Sequence, residues 1–334
     1  MDKIVLLAKQ PGVTSFNSLY NVKRAFNTTK VGHTGTLDNF AQGLLVVCTG
    51  RLTKLAGNIT EFDKSYKAVL TFGLETDTLD YEGAAVRQAD LPDEQTVRSV
   101  VASFVGEQLQ TPPSFSAIHV DGKRASELVR KGVEVQIPAR KINVYSANIE
   151  QLKKNEEGKV IACLIEFSVS KGTYIRCLAR DIGAACGSAA HLTGLYRTKV
   201  GNFSIEEAAG YKSLPKFDIE NCFVLAQQLK NKEIVKPERE QELEFQKEIV
   251  ETARAFDEQT AVLCGFKILH LADSQSEQDF RFGRPIHKTF FAEKINMESA
   301  QDLFAVFAPD KSFCGLAGCK DLEKQYVGYK MVIQ

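Results

Sequence analysis

Residues 31–50 read VGHTGTLDNFAQGLLVVCTG, and they place one carboxylate, Asp38, in a loop with three nearby glycines. The apolar run 44–48 follows at once, and its length and the glycine after it predict a buried strand. Glycines let a backbone adopt positive φ and approach a ligand closely, so an acid here, beside His33, is well placed as a nucleophile or base. An aspartate that only hydrogen-bonds its own turn is the alternative interpretation, and the loop alone leaves both open.

The composition is typical of an ordinary globular protein. The chain has 334 residues with no formal net charge, and 44% of them are hydrophobic, which leaves room for two domains. Its eight cysteines form no Cys-x-x-Cys pair and its five histidines are dispersed, so we expect no structural metal. There is no signal-peptide pattern and no apolar run near the ~20 residues of a membrane span. We therefore expect a cytoplasmic protein with reduced cysteines and no membrane contact.

Further motifs surround the Asp38 loop in a fixed order. Lys9-Gln-Pro-Gly-Val-Thr-Ser precedes the loop, and Asp63-Lys-Ser-Tyr66 opens a segment that alternates as a strand to residue 73. Pro112-Pro-Ser-Phe-Ser-Ala begins a segment, 112–145, with six basic and three acidic residues. Lys171-Gly-Thr-Tyr-Ile-Arg176 follows a predicted buried strand at 160–168, and Ala-Ala-His-Leu-Thr-Gly-Leu-Tyr-Arg-Thr closes the series at 189–198.

Together these motifs resemble those of the bacterial tRNA pseudouridine-55 synthases, the TruB family, over about residues 4–210. The resemblance implies an enzyme that flips a uridine from the T loop of tRNA, position 55, and isomerises it to pseudouridine without a cofactor. Two alternatives stay open. One is a non-catalytic tRNA-binding or tRNA-folding module, and the other is a nucleoside hydrolase that uses Asp38 with Asp77 or Asp80.

The resemblance also assigns roles to residues. It implies that Asp38, Tyr66 and Arg176 are catalytic: Asp38 attacks the ribose or base or stabilises the separated sugar, Arg176 orients Asp38, and Tyr66 stacks on the base. The expected substrate-binding residues are His33, Lys9, Tyr174, Leu195, Lys123 and Arg124, the last two in the basic segment that we expect to contact the RNA backbone. Tyr196 stands where the family often has an arginine, so any contact made there is in doubt.

The predicted fold is α/β (α+β), with a mixed, mainly antiparallel sheet, flanking helices and a small C-terminal β-barrel-like domain. The predicted domains are a catalytic domain at 1–211, a helical linker at 212–259 and a PUA-like RNA-binding domain at 260–334. In the last of these, strands are predicted at 261–266, 282–286, 303–308 and 313–318. We expect a monomer whose partner is the T-arm of tRNA.

Overall fold

The structure is a computed structural model that describes residues 2–113, 137–233 and 238–333, with residues 115, 119, 120, 123, 124, 128, 131 and 135 between them. Its strands are β1 (Lys3–Lys9), β2 (Val31–His33), β3 (Gln42–Thr49), β4 (Lys64–Phe72), β5 (Leu74–Thr76), β6 (Ala85–Gln88), β7 (Gly106–Gln110), β8 (His119–Val120), β9 (Lys123–Arg124), β10 (Arg140–Lys154), β11 (Val160–Val169), β12 (Ala190–Val200), β13 (Phe203–Ser204), β14 (Arg254–Ala255), β15 (Lys267–His270), β16 (Leu303–Phe307), β17 (Phe313–Asp321) and β18 (Tyr326–Val332).

The helices lie between these strands. They are α1 (Ser15–Ala25), α2 (Ala56–Thr60), α3 (Glu94–Ser103), α4 (Ile175–Ala185), α5 (Ile219–Lys230), α6 (Arg239–Thr252), α7 (Glu258–Leu263) and α8 (Ser274–Arg281), with short 3₁₀ turns at Gly50–Leu55, Ile205–Glu207, Tyr211–Ser213 and Lys288–Phe290. No helix in the described ranges is long and apolar enough to cross a bilayer.

One large sheet forms the body of the protein. Its strand order is β14-β1-β3-β12-β4-β11-β10-β7, with β2 paired to β3 and β13 paired to β12. Of these pairings, β3 with β12 is parallel and the others are antiparallel. The predicted mixed, mainly antiparallel sheet with flanking helices is confirmed.

The strand predicted at 44–48 lies inside this sheet. All eight residues of β3 are buried, which explains why its sequence is apolar on both faces rather than alternating. Gly43 has φ of 121°, and a Cβ there would lie 2.4 Å from the carbonyl oxygen of Arg197. Only glycine therefore lets β3 and β12 come this close at the point where the Asp38 loop ends.

The C-terminal residues form a second, four-stranded sheet in the order β15-β16-β17-β18. The predicted strands at 303–308 and 313–318 are confirmed as β16 and β17. The strand predicted at 261–266 is wrong, because Asp257 accepts a hydrogen bond from the Thr260 amide (2.8 Å) and so caps helix α7. The strand predicted at 282–286 is also wrong, since those residues form the turn and loop that follow α8.

The segment 212–259 packs against the large sheet. Helix α5 contributes Ile219 and Cys222 to a cluster with Val69 and Leu164, and β14 extends the sheet by pairing with β1. A further cluster joins residues of β1 and β3 to β16, β17 and β18. The domain boundaries stay a prediction. Within the predicted linker, helix α5 covers part of the large sheet.

Candidate active site

A cleft of about 930 Å³ opens beside the loop between β2 and β3. The sequence-predicted residues that line it come from four separate segments of the chain: Asp38, Tyr66, Arg176, His33, Tyr174 and Leu195. Lys9 is not among the lining residues. Of the seven predicted site residues whose side chains the structure describes, the fold therefore brings six to one cleft.

The Asp38 loop is fixed by side chains from neighbouring helices. The Ser15 hydroxyl, at the start of α1, accepts from the Leu37 amide (2.9 Å) and donates to the Leu37 carbonyl (3.1 Å). On the other side, the Thr60 hydroxyl donates to the Thr34 carbonyl (2.8 Å). Because Leu37 directly precedes Asp38, these bonds fix the backbone position from which the Asp38 side chain extends.

Two buried basic side chains, Lys9 and Arg197, bind backbone carbonyls of the same loop. Lys9 is 1% exposed, and its Nζ donates to the carbonyls of Gln10 (3.1 Å), Asn39 (3.1 Å) and Ala41 (2.5 Å). Burial lowers the pKa of Lys9 to about 7, with Asp38 opposing the shift and Arg197 adding to it. The structure thus gives Lys9 a supporting position, and its predicted contact with substrate stays a prediction.

Arg197 is the second of these side chains, and sequence reasoning gave it no role. It is 2% exposed, and its guanidinium donates to the carbonyls of Leu44 (2.7 Å), Gly35 (3.1 Å) and Thr36 (3.4 Å). Its position after Leu195 in the closing motif was visible in the sequence. Its partners, more than 150 residues away, were not.

Asp38 itself faces the cleft in contact with Arg176. The Arg176 Nη2 lies 3.1 Å from Asp38 Oδ1, and the side chains are 8% and 33% exposed. Arg176 also donates from Nη1 to the Thr78 carbonyl (2.8 Å) and lies 3.4 Å from Asp80 Oδ2. The guanidinium is therefore held between two carboxylates, of which Asp38 is the more exposed.

Asp80 is one of the two acids that the hydrolase alternative pairs with Asp38. Its side chain is 7% exposed, and its Oδ1 accepts from the Thr78 hydroxyl (2.6 Å) and the Glu82 amide (3.1 Å). Burial raises the pKa of Asp80, against the hydrogen bond from Thr78 and the charge of Arg176, which lower it. Burial likewise raises the pKa of Glu82, which also lines the cleft. Asp80 therefore supports Arg176, whereas Glu82 is an exposed acid on the wall of the cleft.

The walls of the cleft carry the rings and apolar side chains. Tyr66 lies on β4, opposite Arg197 of β12, and is 9% exposed, and Leu195 is 5% exposed. Tyr174 caps α4; its amide donates to Gln110 Oε1 (2.8 Å), and the Arg140 guanidinium lies 5.0 Å from its ring centroid. Such rings form a pocket suited to a planar base.

His33 lies on β2 at the edge of the cleft. Its Nδ1 accepts from the Gly35 amide (3.4 Å). Burial lowers the pKa of His33, and the nearby Arg197 lowers it further. His33 is therefore a neutral hydrogen-bonding group near pH 7.

Some basic residues of the site differ from those predicted. Arg140 and Lys64 line the cleft, and burial lowers the pKa of Lys64 to about 8. Lys123 and Arg124 form strand β9, paired with His119–Val120. Their side chains lie outside what the structure describes, so their RNA contacts stay predictions. Among the described residues, no cluster of His, Cys, Asp and Glu could hold a metal ion.

Solved structures share this fold. The chain aligns over 99% of its length with 84% of a chain in the crystal structure of a Cbf5-Nop10-Gar1 complex, at a TM-score of 0.64 and 22% identity. It aligns equally far with a chain in the structure of an H/ACA RNP bound to a substrate RNA containing 2′-deoxyuridine, at a TM-score of 0.63 and 19% identity. At these identities the likeness establishes the fold.

Sequence relatives establish the family. Residues 23–175 match the model of the N-terminal domain of TruB family pseudouridylate synthases. The tRNA pseudouridine synthase B of Treponema denticola is 38% identical, over 99% of this chain and 98% of that protein. The enzyme of the same name from Borreliella burgdorferi is 43% identical over 64% of this chain and 74% of that protein. The chain therefore belongs to the TruB family of pseudouridylate synthases.

Proposed function

We propose that this protein isomerises uridine to pseudouridine in tRNA, at position 55 of the T loop, with Asp38 as the essential carboxylate. The observation that carries the proposal is the Asp38–Arg176 pair (3.1 Å) in a cleft walled by Tyr66, Tyr174 and Leu195. The tRNA substrate is supported by relatives named tRNA pseudouridine synthase B, and the T-loop position by the family's motifs.

In the reaction, the bond between N1 of uracil and C1′ of ribose breaks and a bond between C5 and C1′ forms. The C5 proton leaves and N1 gains a proton, so atoms balance and no oxidant is needed. Asp38, in the part of the cleft open to solvent, attacks the ribose or the base or stabilises the positive charge that develops on the sugar. Arg176 binds this carboxylate and directs it into the cleft.

In this proposal Tyr66 stacks on the flipped base and acts near C5. Tyr174 and Leu195 confine the base, which must leave the stack of the folded RNA to reach Asp38. His33, a neutral donor at the edge of the cleft, is suited to hydrogen-bond the opened loop of the RNA.

The two alternative functions have weaker support. The hydrolase alternative pairs Asp38 with Asp77 or Asp80, but Asp80 is bound to Arg176, and Asp77 accepts from the Ala84 amide (2.9 Å) and does not line the cleft. A non-catalytic module has no need to hold Asp38 and Arg176 in contact in an open cleft. A monomer in the cytoplasm is part of the proposal, and the eight unpaired cysteines support that location.

The test is incubation with an unmodified tRNA transcript, followed by carbodiimide treatment and primer extension to map pseudouridine. We expect one modified uridine in the T loop with the wild type. Asp38→Asn should form none while binding the transcript nearly as well, because it keeps the shape and loses the charge. Asp90→Asn, at an exposed aspartate outside the cleft, is the matched control. Near-wild-type product from Asp38→Asn would refute the proposal.

A further inference from the structure

Helix α1 presents an aromatic and basic face to solvent. Phe16 is 67% exposed and Tyr20 is 53% exposed. Lys23 Nζ lies 4.9 Å from the Phe16 ring centroid, and Arg24 packs on Tyr20 (5.4 Å) while donating to its hydroxyl (2.8 Å). These four residues, spaced four, three and one apart, share one side of the helix, and we call them the α1 face.

The α1 face adjoins the cleft. Phe16 is itself a cleft-lining residue, and its neighbour Ser15 is the residue whose hydroxyl binds both backbone groups of Leu37. Phe16 therefore directly follows a residue that is hydrogen-bonded to the Asp38 loop. The inward residues of the helix, Leu19 and Val22, supply its core packing, so Phe16 is not needed for that purpose.

The chemistry of this face fits single-stranded nucleic acid. An exposed aromatic ring stacks on any unpaired base, and lysine and arginine beside it attract the flanking phosphates. A protein partner would have no reason to require the continuity of this face with the cleft.

We propose that the α1 face binds an unpaired nucleotide adjacent to the target uridine, with the base stacked on Phe16 and phosphates near Lys23 and Arg24. This inference rests on the proposed function, because it takes the target uridine to lie in the cleft beside Asp38. When the uridine flips, its neighbour loses a stacking partner, and the α1 face replaces that partner. The face thus contributes binding free energy that is available only to the opened RNA.

The first test measures binding of an unmodified tRNA transcript by fluorescence anisotropy at fixed salt. Phe16→Ala should weaken binding about tenfold, and Phe16→Tyr should restore it, since a ring returns. Lys23→Ala should weaken binding and reduce the salt dependence. Val224→Ala is the control, because Val224 is a 57% exposed apolar side chain on α5 that does not line the cleft. Equal affinity of Phe16→Ala and the wild type would overturn the proposal.

The second test identifies the base. Transcripts that lack the base on the 5′ or the 3′ side of the target uridine are bound to the wild type and to Phe16→Ala. One of these deletions should cost the wild type about tenfold and cost Phe16→Ala little, because the stacking partner is already lost. Fully additive losses at both positions would refute stacking on Phe16. If the face binds a protein instead, Phe16→Ala should bind every transcript as tightly as the wild type does.

Two different results distinguish failure of the proposed function from failure of the inference about the α1 face. If the wild type forms no pseudouridine in any tRNA transcript, the proposed function fails. If the wild type forms pseudouridine and Phe16→Ala binds as tightly as the wild type does, only the inference about the α1 face fails.

Discussion

Replacement of Asp80 by asparagine tests whether the position of Arg176 governs the chemistry. The asparagine side chain would keep the shape of the aspartate and one oxygen for the Thr78 hydroxyl and the Glu82 amide. It would lose the negative charge that lies 3.4 Å from Arg176 Nη1. Arg176 would then have one carboxylate partner, Asp38, instead of two.

The expected effect on stability is small. A hydrogen bond between charged groups contributes about 1.5–3 kcal/mol. Burial already disfavours the charged form of Asp80 and raises its pKa, so a neutral side chain recovers part of that loss. We expect the free energy of unfolding to fall by less than about 2 kcal/mol.

The pH dependence has a defined sign. Because the pKa of Asp80 is raised, the folded protein binds more protons than the unfolded chain in the window above the ordinary value of 3.8. The wild type therefore loses stability as the pH rises through that window, and Asp80→Asn lacks this loss. The destabilisation caused by the substitution should be larger near pH 4 than at pH 7.

The expected effect on catalysis is much larger. Release of Arg176 allows its guanidinium, and with it the Asp38 carboxylate, to shift. A misplacement of ~1 Å at a reacting group costs on the order of 10²-fold in rate, or about 2.7 kcal/mol of activation free energy. The measurement is single-turnover pseudouridine formation at saturating tRNA, alongside denaturant unfolding.

Asp77→Asn is the matched control for this substitution. Asp77 lies in the same acidic segment, accepts a hydrogen bond from the Ala84 amide and does not line the cleft. The Asp77→Asn variant should form pseudouridine at close to the wild-type rate. A rate for Asp80→Asn within about threefold of wild type would refute the view that Asp80 positions Arg176.

Two further outcomes follow from the cleft and from the packing of the C-terminal half. Tyr66→Phe should lower the single-turnover rate about 10²-fold at unchanged tRNA affinity, because the ring remains and only the hydroxyl is lost; equal, mild effects of Tyr66→Phe and Tyr66→Leu would mean that Tyr66 only packs. A chain that ends at Tyr211 should fail to fold, as measured by circular dichroism. It lacks Ile219 and Cys222, which cover the sheet, and the side chains of β16–β18 that complete the cluster around β1 and β3. A truncated protein that folds and is active would contradict this packing argument.

Local sequence patterns were sufficient to predict the elements that carry the site. The buried run after Asp38 became β3, and the strand before Lys171 became β11. Both depend on consecutive residues, whose hydrophobicity is visible directly. The meeting of Asp38 with Arg176 came from the family resemblance, since 138 residues separate them.

The supporting contacts could not be predicted in this way. Lys9 bonds backbone carbonyls about 30 residues away, and Asp80 meets an arginine 96 residues later. A carbonyl acceptor is present at every residue, so no side-chain pattern marks the ones that a buried lysine will find. The helix at 258–263 was missed for a related reason. Its capping aspartate, Asp257, differs from other polar residues only through its hydrogen bond to the Thr260 amide, which exists only in the folded helix.

The contacts around Asp38 divide into two groups with different tasks. Ser15, Thr60, Lys9 and Arg197 all bind backbone atoms of the loop, and they leave the carboxylate itself untouched. Arg176 binds the carboxylate, and its other partners, which include Asp80 and the carbonyls of Thr78 and Phe115, lie on different segments from the loop. The backbone is thus fixed before substrate arrives, while the charged group keeps one third of its surface exposed to the cleft. Rigid supports lower the free-energy cost of reorganisation when charge develops in the transition state. The fold therefore contributes to the chemistry mainly by holding the loop so that Asp38 is oriented before the reaction begins.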